Sequence, residues 1–230
     1  WLSINNSNLE RSIAYARESV ELHRELGDLS GIASSLNTLA RLTYFGGDFS
    51  SPVPWLEEVL TLSRQLSDHE NEGEALITFG NLADWQGAYG QANAYFEEAI
   101  LLSEKSWNQF QNLWAHIHLA YSVLRQGDVP QARTLFADSI HNTHKAGMTI
   151  ALVFAVEGIA SLFVNQNQPA RAVQLFAWSD AMREKLGDHR PPVEQASVEK
   201  DLAAIHSQVD DIEFARLSAE GRTMTVEQAI

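Results

Sequence analysis

The sequence predicts an all-α chain: a right-handed solenoid of antiparallel helical hairpins with a C-terminal helical cap. Polar turns recur at a spacing of forty, at Gly47-Asp48-Phe49, Gly87-Ala88-Tyr89, Gly127-Asp128-Val129 and Asn167-Gln168-Pro169. Each turn is followed by a small–large–small series. Pro52, Ala92, Ala132 and Ala172 open it; Leu56, Phe96, Phe136 and Phe176 come four residues later; Val59, Ala99, Ser139 and Ser179 come three after that. Before each turn a small residue (Ala40, Gly80, Ala120, Ala160) follows an apolar one (Leu39, Phe79, Leu119, Ile159).

Steps of four and three keep the series on one helical face. The small residue lets two helices approach, and the large one fills the space beside it. One hairpin cannot bury its apolar face alone, so neighbours must stack. The pattern predicts a first helix over 8–26, then helix pairs at 31–46 and 53–66, 70–86 and 89–105, 109–126 and 129–146, and 150–166 and 169–186. Pro52 and Pro54 are expected to make one return helix irregular at its start. Gly27 and Gly187 are placed as helix C-caps. After Pro191-Pro192 the period breaks, and helices are expected over 193–209 and 211–220, ending at Gly221. The expected division is a repeat solenoid over 1–188 and, over 189–230, capping helices with the start of a linker. Trp1 in place of a starting Met, and a helix just beginning at Thr225, are read as cuts in a longer protein.

A period near forty also fits HEAT and armadillo repeats. The small residue after an apolar one, followed by the Ala-Phe-small series, resembles the tetratricopeptide repeat instead, over about residues 8 to 188.

Composition narrows the function classes. The 230 residues carry 16 basic and 30 acidic side chains, a net charge of −14. A surface of that sign repels phosphates, so neither nucleic acid nor an anionic membrane is an expected partner. There is no cysteine, hence no disulfide or cysteine-ligated metal. No apolar run is long enough to span a bilayer.

Catalytic and metal signals are weak. Glu57-Glu58 and Glu97-Glu98 repeat at forty, but adjacent residues on a helix diverge by about 100° and do not converge on one atom. His141 and His144 with Asp138 share a face, yet no H-E-x-x-H and no fourth ligand accompany them. His116 and His118 point to different sides. There is no G-x-S-x-G, no phosphate-binding G-x-x-x-x-G-K-[ST] and no G-x-G-x-x-G. Asn5-Asn6-Ser7 matches a glycosylation sequon by chance. The expectation is a protein that is not an enzyme and needs no cofactor or metal.

The better prospect is the inner face of the first helix of each hairpin. Positions flanking the small residue give Asn37, Arg41 and Phe45, then Ile77, Asn81 and Trp85, then Ile117, Tyr121 and Arg125, then Glu157, Ser161 and Asn165. Arg, Asn, Tyr and Trp supply contact area and directed hydrogen bonds. The expected binding groove is therefore Asn37, Arg41, Phe45, Asn81, Trp85, Tyr121, Arg125, Glu157 and Ser161. Its occupant would be a protein, a peptide or a small effector, and a second copy of the chain is also admissible.

Several strings go beyond the generic repeat: Leu26-Gly27-Asp28 with Gly31-Ile32-Ala33; Gln126-Gly127-Asp128 through Ala132-Arg133 and Leu135-Phe136; Ala172-Val173-Gln174-Leu175-Phe176-Ala177; Arg183-Glu184-Lys185-Leu186-Gly187; Pro191-Pro192-Val193-Glu194; and Glu220-Gly221-Arg222-Thr223-Met224-Thr225-Val226-Glu227-Gln228-Ala229. Together they resemble the C-terminal solenoid of MalT-like bacterial signal-transduction ATPases. That resemblance implies a cytoplasmic sensor or scaffold region of a transcriptional regulator. The family's phosphate-binding loop and its LuxR-type DNA-reading helix would lie outside these residues. The alternative is a scaffold or adaptor solenoid unrelated to transcription.

Overall fold

A computed structural model describes residues 6–230. Every regular element among them is a helix. These are α1 (Asn6–Leu26), α2 (Leu29–Phe45), α3 (Pro52–Leu66), α4 (His69–Trp85), α5 (Tyr89–Ser106), α6 (Gln109–Arg125), α7 (Val129–Lys145), α8 (Thr149–Asn165), α9 (Pro169–Leu186), α10 (Pro192–His206), α11 (Asp211–Thr223) and α12 (Val226–Ala229). The repeat helices fall within a residue or two of the expected spans. The Asn5 sequon and Trp1 lie outside what is described.

The helices end on a regular beat. Gly27, Gly47, Ser67, Gly87, Trp107, Gly127, Gly147, Asn167 and Gly187 all have positive φ, between 53° and 88°. One such residue falls every twentieth position, so the forty-residue repeat is two half-repeats. A left-handed residue terminates a helix by turning its amide back onto the preceding carbonyls. The residue after it then often opens the next helix. Asp28 Oδ1 accepts from the Gly31 amide at 3.0 Å, Asp68 from Asn71 at 3.1 Å, Asn108 from Gln111 at 3.0 Å and Asp128 from Gln131 at 3.1 Å. Each satisfies an amide that the first helical turn leaves orphaned.

The two prolines do not disturb α3, contrary to expectation. Pro52 sits at the first helical position and Pro54 two residues on. First-turn amides have no intrahelical partner, so no hydrogen bond is lost there. Asp48 organises the approach by accepting from the Ser50 and Ser51 amides, both at 3.0 Å. The Ser51 hydroxyl and these amides hold its carboxyl down at about 2.

The chain divides into two compact units. Among the described residues, one holds the chain up to Ser122 with Pro191–Val193; the other holds Val123–Arg190 and Glu194–Ile230. In the first, α2 packs on α1 and α3, and α4 on α3 and α5. Ala33, Ala40, Leu56, Val59, Ala75, Ala92 and Ala99 are fully buried. Phe96 lies between two first helices: a Cβ on Gly80 of α4 would collide with its ring, and the His118 imidazole of α6 stacks on it at 5.8 Å. In the second unit α8 packs on α7 and α9. Phe136 fills the notch at Gly158, and Ala132, Ala160, Ala172 and Leu175 are fully buried. The small residue and the aromatic thus act as the series predicts.

The cap follows. α11 packs along α9 and runs through Gly221 to Thr223. Gly221 does not end it, as expected from the sequence, but marks its closest approach: a Cβ there would strike the Gln174 backbone. α12 opens at Thr225 with a capping box, Thr225 Oγ1 accepting from the Gln228 amide while Gln228 Oε1 accepts from the Thr225 amide at 2.8 Å. Arg171 of α9 holds it by donating to the Gln228 carbonyl at 2.9 Å.

Truncating Phe136 to Ala should lower stability by about 3–5 kcal/mol, as for a buried core aromatic. Gly221→Ala should cost about 1–3 kcal/mol through forced displacement of backbone. Urea unfolding followed by circular dichroism measures both; a loss below about 1 kcal/mol for Phe136→Ala would show the wedge to be loose.

Candidate functional site

The expected row splits into buried and accessible members. Asn37 is fully buried on α2; its amide donates to the Asn71 carbonyl at 2.9 Å and Asn71 Oδ1 at 3.1 Å, bridging α2 to α4. Phe45 is also buried. Arg41 is one-third exposed, with Nε 3.4 Å from Glu74 of α4. Asn81 and Tyr121 are half-buried. Trp85 is 54% exposed, and one face of its indole stacks on Phe49 at 3.7 Å, with Tyr44 edge-on to Phe49 at 5.7 Å. The first unit thus carries an aromatic shelf where α4 ends, beside the turn that enters α3.

In the second unit Arg125 is exposed. Ser161 Oγ lies 2.5 Å from Asp201 Oδ2 of α10. Glu157 is 2% exposed and presents no surface to a partner. Asn37, Phe45 and Glu157, expected in the groove, are buried instead; Asn37 and Glu157 are taken up by other elements of their own unit, so spacing from the small residue does not distinguish a groove wall from a contact between helices.

Glu157 instead anchors a buried ionic network that the row did not anticipate. Arg183 of α9 donates to Glu157 from Nε at 2.9 Å and from a terminal nitrogen at 3.1 Å. Arg190, in the segment before α10, donates to the same carboxylate at 2.7 Å and contacts Asp180 at 2.5 Å. The Ser179 hydroxyl donates to Glu157 Oε1. Arg183 also reaches Asp188, and Glu194 of α10 at 3.4 Å. Burial alone would drive the Glu157 carboxyl up; Arg183 and Arg190 outweigh it and hold Glu157 ionised. Burial pushes Glu194 the other way, up to about 8.

A signal for this network was present. Ala172, Phe176, Ser179 and Arg183 continue one inward face, and the residues forty apart from Arg183 are Thr143, Ser103 and Ser63. All three are buried. An arginine in that column must bring its own carboxylate.

The remaining candidates stay apart. Glu58 pairs outward with Arg24 at 2.6 Å, and Glu98 with Arg64 at 3.6 Å, each linking one return helix to the next. Asp138, His141 and His144 are exposed on α7. Among the described residues no three His, Cys, Asp or Glu side chains are grouped to hold a metal, and no helix is long and apolar enough to cross a membrane. His116 bonds the Asn112 carbonyl through Nδ1 at 2.9 Å, while His118 stacks between Phe96 and Trp114.

No family model matches the sequence, and no curated protein does. Solved structures do. BtubC (BKLC) from P. vanneervenii is 19% identical, with a TM-score of 0.65 over 92% of this chain and 88% of its own. A putative kinesin light chain from Podosopora anserina, built of nearly identical TPR-like repeats, is 17% identical, with a TM-score of 0.53 over 79% of this chain and 90% of its own. A single-substitution variant of that protein is also 17% identical, with a TM-score of 0.54 over 79% of this chain and 89% of its own. The likeness shows the fold, a tetratricopeptide-like helical repeat.

Removing one partner of a buried charge pair strands the other, at a cost of about 3–5 kcal/mol. Arg183→Met should therefore destabilise the chain by that amount in urea unfolding, whereas Arg24→Met, at an exposed pair, should change it by less than about 1 kcal/mol.

Proposed function

We propose that this chain is a protein-interaction scaffold that takes up a polypeptide on the first-helix face of its hairpins. The observation that carries this reading is the aromatic shelf of Trp85 on Phe49, adjoining the accessible Asn81. A stacked indole offers a rigid apolar surface, and an amide beside it can bond a peptide backbone. A general scaffold role needs nothing further. The narrower reading, a sensor region of a MalT-like transcriptional ATPase, rests on the tail strings alone. Much of that tail has packing work: Arg183 and Glu194 belong to the buried network, and Gly221 fits α11 to α9.

Selection from a displayed library of random peptides tests the reading. Enriched peptides should bind the chain and lose at least about tenfold in affinity to a Trp85→Ala, Asn81→Ala variant, a loss of about 1.4 kcal/mol. The variant should keep its helical circular dichroism and a cooperative melt, which separates lost binding from unfolding. Enriched peptides that bind the variant equally well would refute the site. Duplex DNA should give a flat anisotropy titration at ordinary salt, since 30 acidic groups face 16 basic ones; saturable binding that weakens steeply with salt would contradict the charge argument.

A further inference from the structure

We infer that α10 is a proton-held latch on the last hairpin: Glu194 docks as the neutral acid, and its ionisation releases the helix. The geometry gives the reason. Among the described residues, the network places two guanidiniums, Arg183 and Arg190, among four carboxyls, Glu157, Asp180, Asp188 and Glu194. Asp180 is 43% exposed, so water hydrates its charge. The other three are more enclosed, Glu157 at 2%, Asp188 at 11% and Glu194 at 19% exposed, and only two cations meet them. Glu157 takes both guanidiniums at 2.7 and 2.9 Å, Asp188 takes Arg183 in a short contact, and Glu194 is left the longest contact at 3.4 Å. A third carboxylate there would add one uncompensated negative charge to a site where burial already disfavours it.

The groups facing Glu194 from the packed elements are Glu157 on α8, Arg183 on α9, and Asp188 and Arg190 on the connecting segment. A second carboxyl of α10 is set in the same way: Asp201 lies against Ser161 of α8, with Arg125 and Lys200 as its charged neighbours, and burial raises it too. On the same helix, Val198 and Ile205 are buried in the core that Val156 and Ala160 of α8 share, with Leu202 packed against it. Docked α10 therefore covers Ser161 and lies at the network around Glu157, the two positions the repeat pattern assigned to the binding row. The latch stands whether or not that row takes a partner.

The sign follows from linkage. An acid whose value is raised in the docked state contributes docking stability that is complete below its free value. That stability is lost as pH rises through about 8. Opening should therefore grow roughly tenfold per pH unit between the free value and about 8, and level off above it.

Hydrogen exchange of the whole chain, expressed as protection factors to remove the intrinsic pH dependence, reads it directly. Protection across residues 192–206 should fall between about pH 5.5 and 8, and level off above that, while α8 and α9 hold theirs. Glu194→Gln, which keeps the neutral shape, should flatten that fall. Unchanged α10 protection over this range in the natural chain, or an equal fall in Glu194→Gln, overturns the latch. Should the variant fail to fold, carbon NMR of the Glu194 carboxyl in the unaltered chain decides. Titration well above the usual carboxylate range supports the latch, and titration within that range refutes it.

Discussion

A left-handed residue every twentieth position is the constraint from which the rest of this molecule follows. It fixes where each helix stops, and in the repeats it holds helix length to between 15 and 18 residues after the first. Helices of near-equal length let one packing rule serve the repeats within each unit. The chain keeps the beat even where glycine is absent. Ser67, Trp107 and Asn167 adopt the conformation at φ of 56°, 57° and 53°. A side chain there costs of order 1–2 kcal/mol, least for asparagine, so the beat is held against local preference.

With lengths fixed, packing reduces to a wedge. The aromatic of a second helix enters where a first helix carries glycine: Phe96 against Gly80, Phe136 against Gly158. The column one turn beyond the small residue is polar yet buried, and two of its hydroxyls bond within their own helix. Ser103 Oγ donates to the Ile100 carbonyl at 2.6 Å, and Thr143 Oγ1 to the Ser139 carbonyl at 2.7 Å. Such hydroxyls fold back onto their own helix, and Ser103 has room to accept from Asn112 of α6 as well, at 2.9 Å. Arg183 in that column cannot do so, and the last hairpin is organised around it.

Legibility in the sequence follows from this difference. Helix ends and the small–aromatic series repeat with the backbone, so alignment at forty finds them; the helix start at Thr225, beyond the repeat, was legible from its residue type, and its capping box was not. The twenty-residue beat is harder to see, because its residues change identity from glycine to serine, tryptophan and asparagine. The surroundings of the expected row were only partly legible. Periodicity tells which side of a first helix a residue occupies, but not what covers that side. Arg41 reaches Glu74, while Asn37 is swallowed between two helices and Glu157 is claimed by two arginines brought from other elements. Contacts made by Arg190 and Glu194, outside the periodic register, carry no repeat signal at all.

The end of the repeat is closed by two different chemistries. A last hairpin leaves an apolar face that no further repeat covers. α11 covers part of it by close backbone approach at Gly221 and a buried Leu217, contacts that depend on shape and are indifferent to pH. α10 covers the adjoining part with charged groups over a narrow apolar strip. Buried ion pairs give little net stability over apolar packing of the same volume, so their presence here argues for something packing does not supply. What they supply is position and conditionality. The guanidinium of Arg183 fixes where Asp188 and Glu194 must lie, and the surplus carboxyl makes that arrangement depend on a proton. The cap thus joins a fixed clasp on α9 to a conditional one beside α8, where α10 covers Ser161.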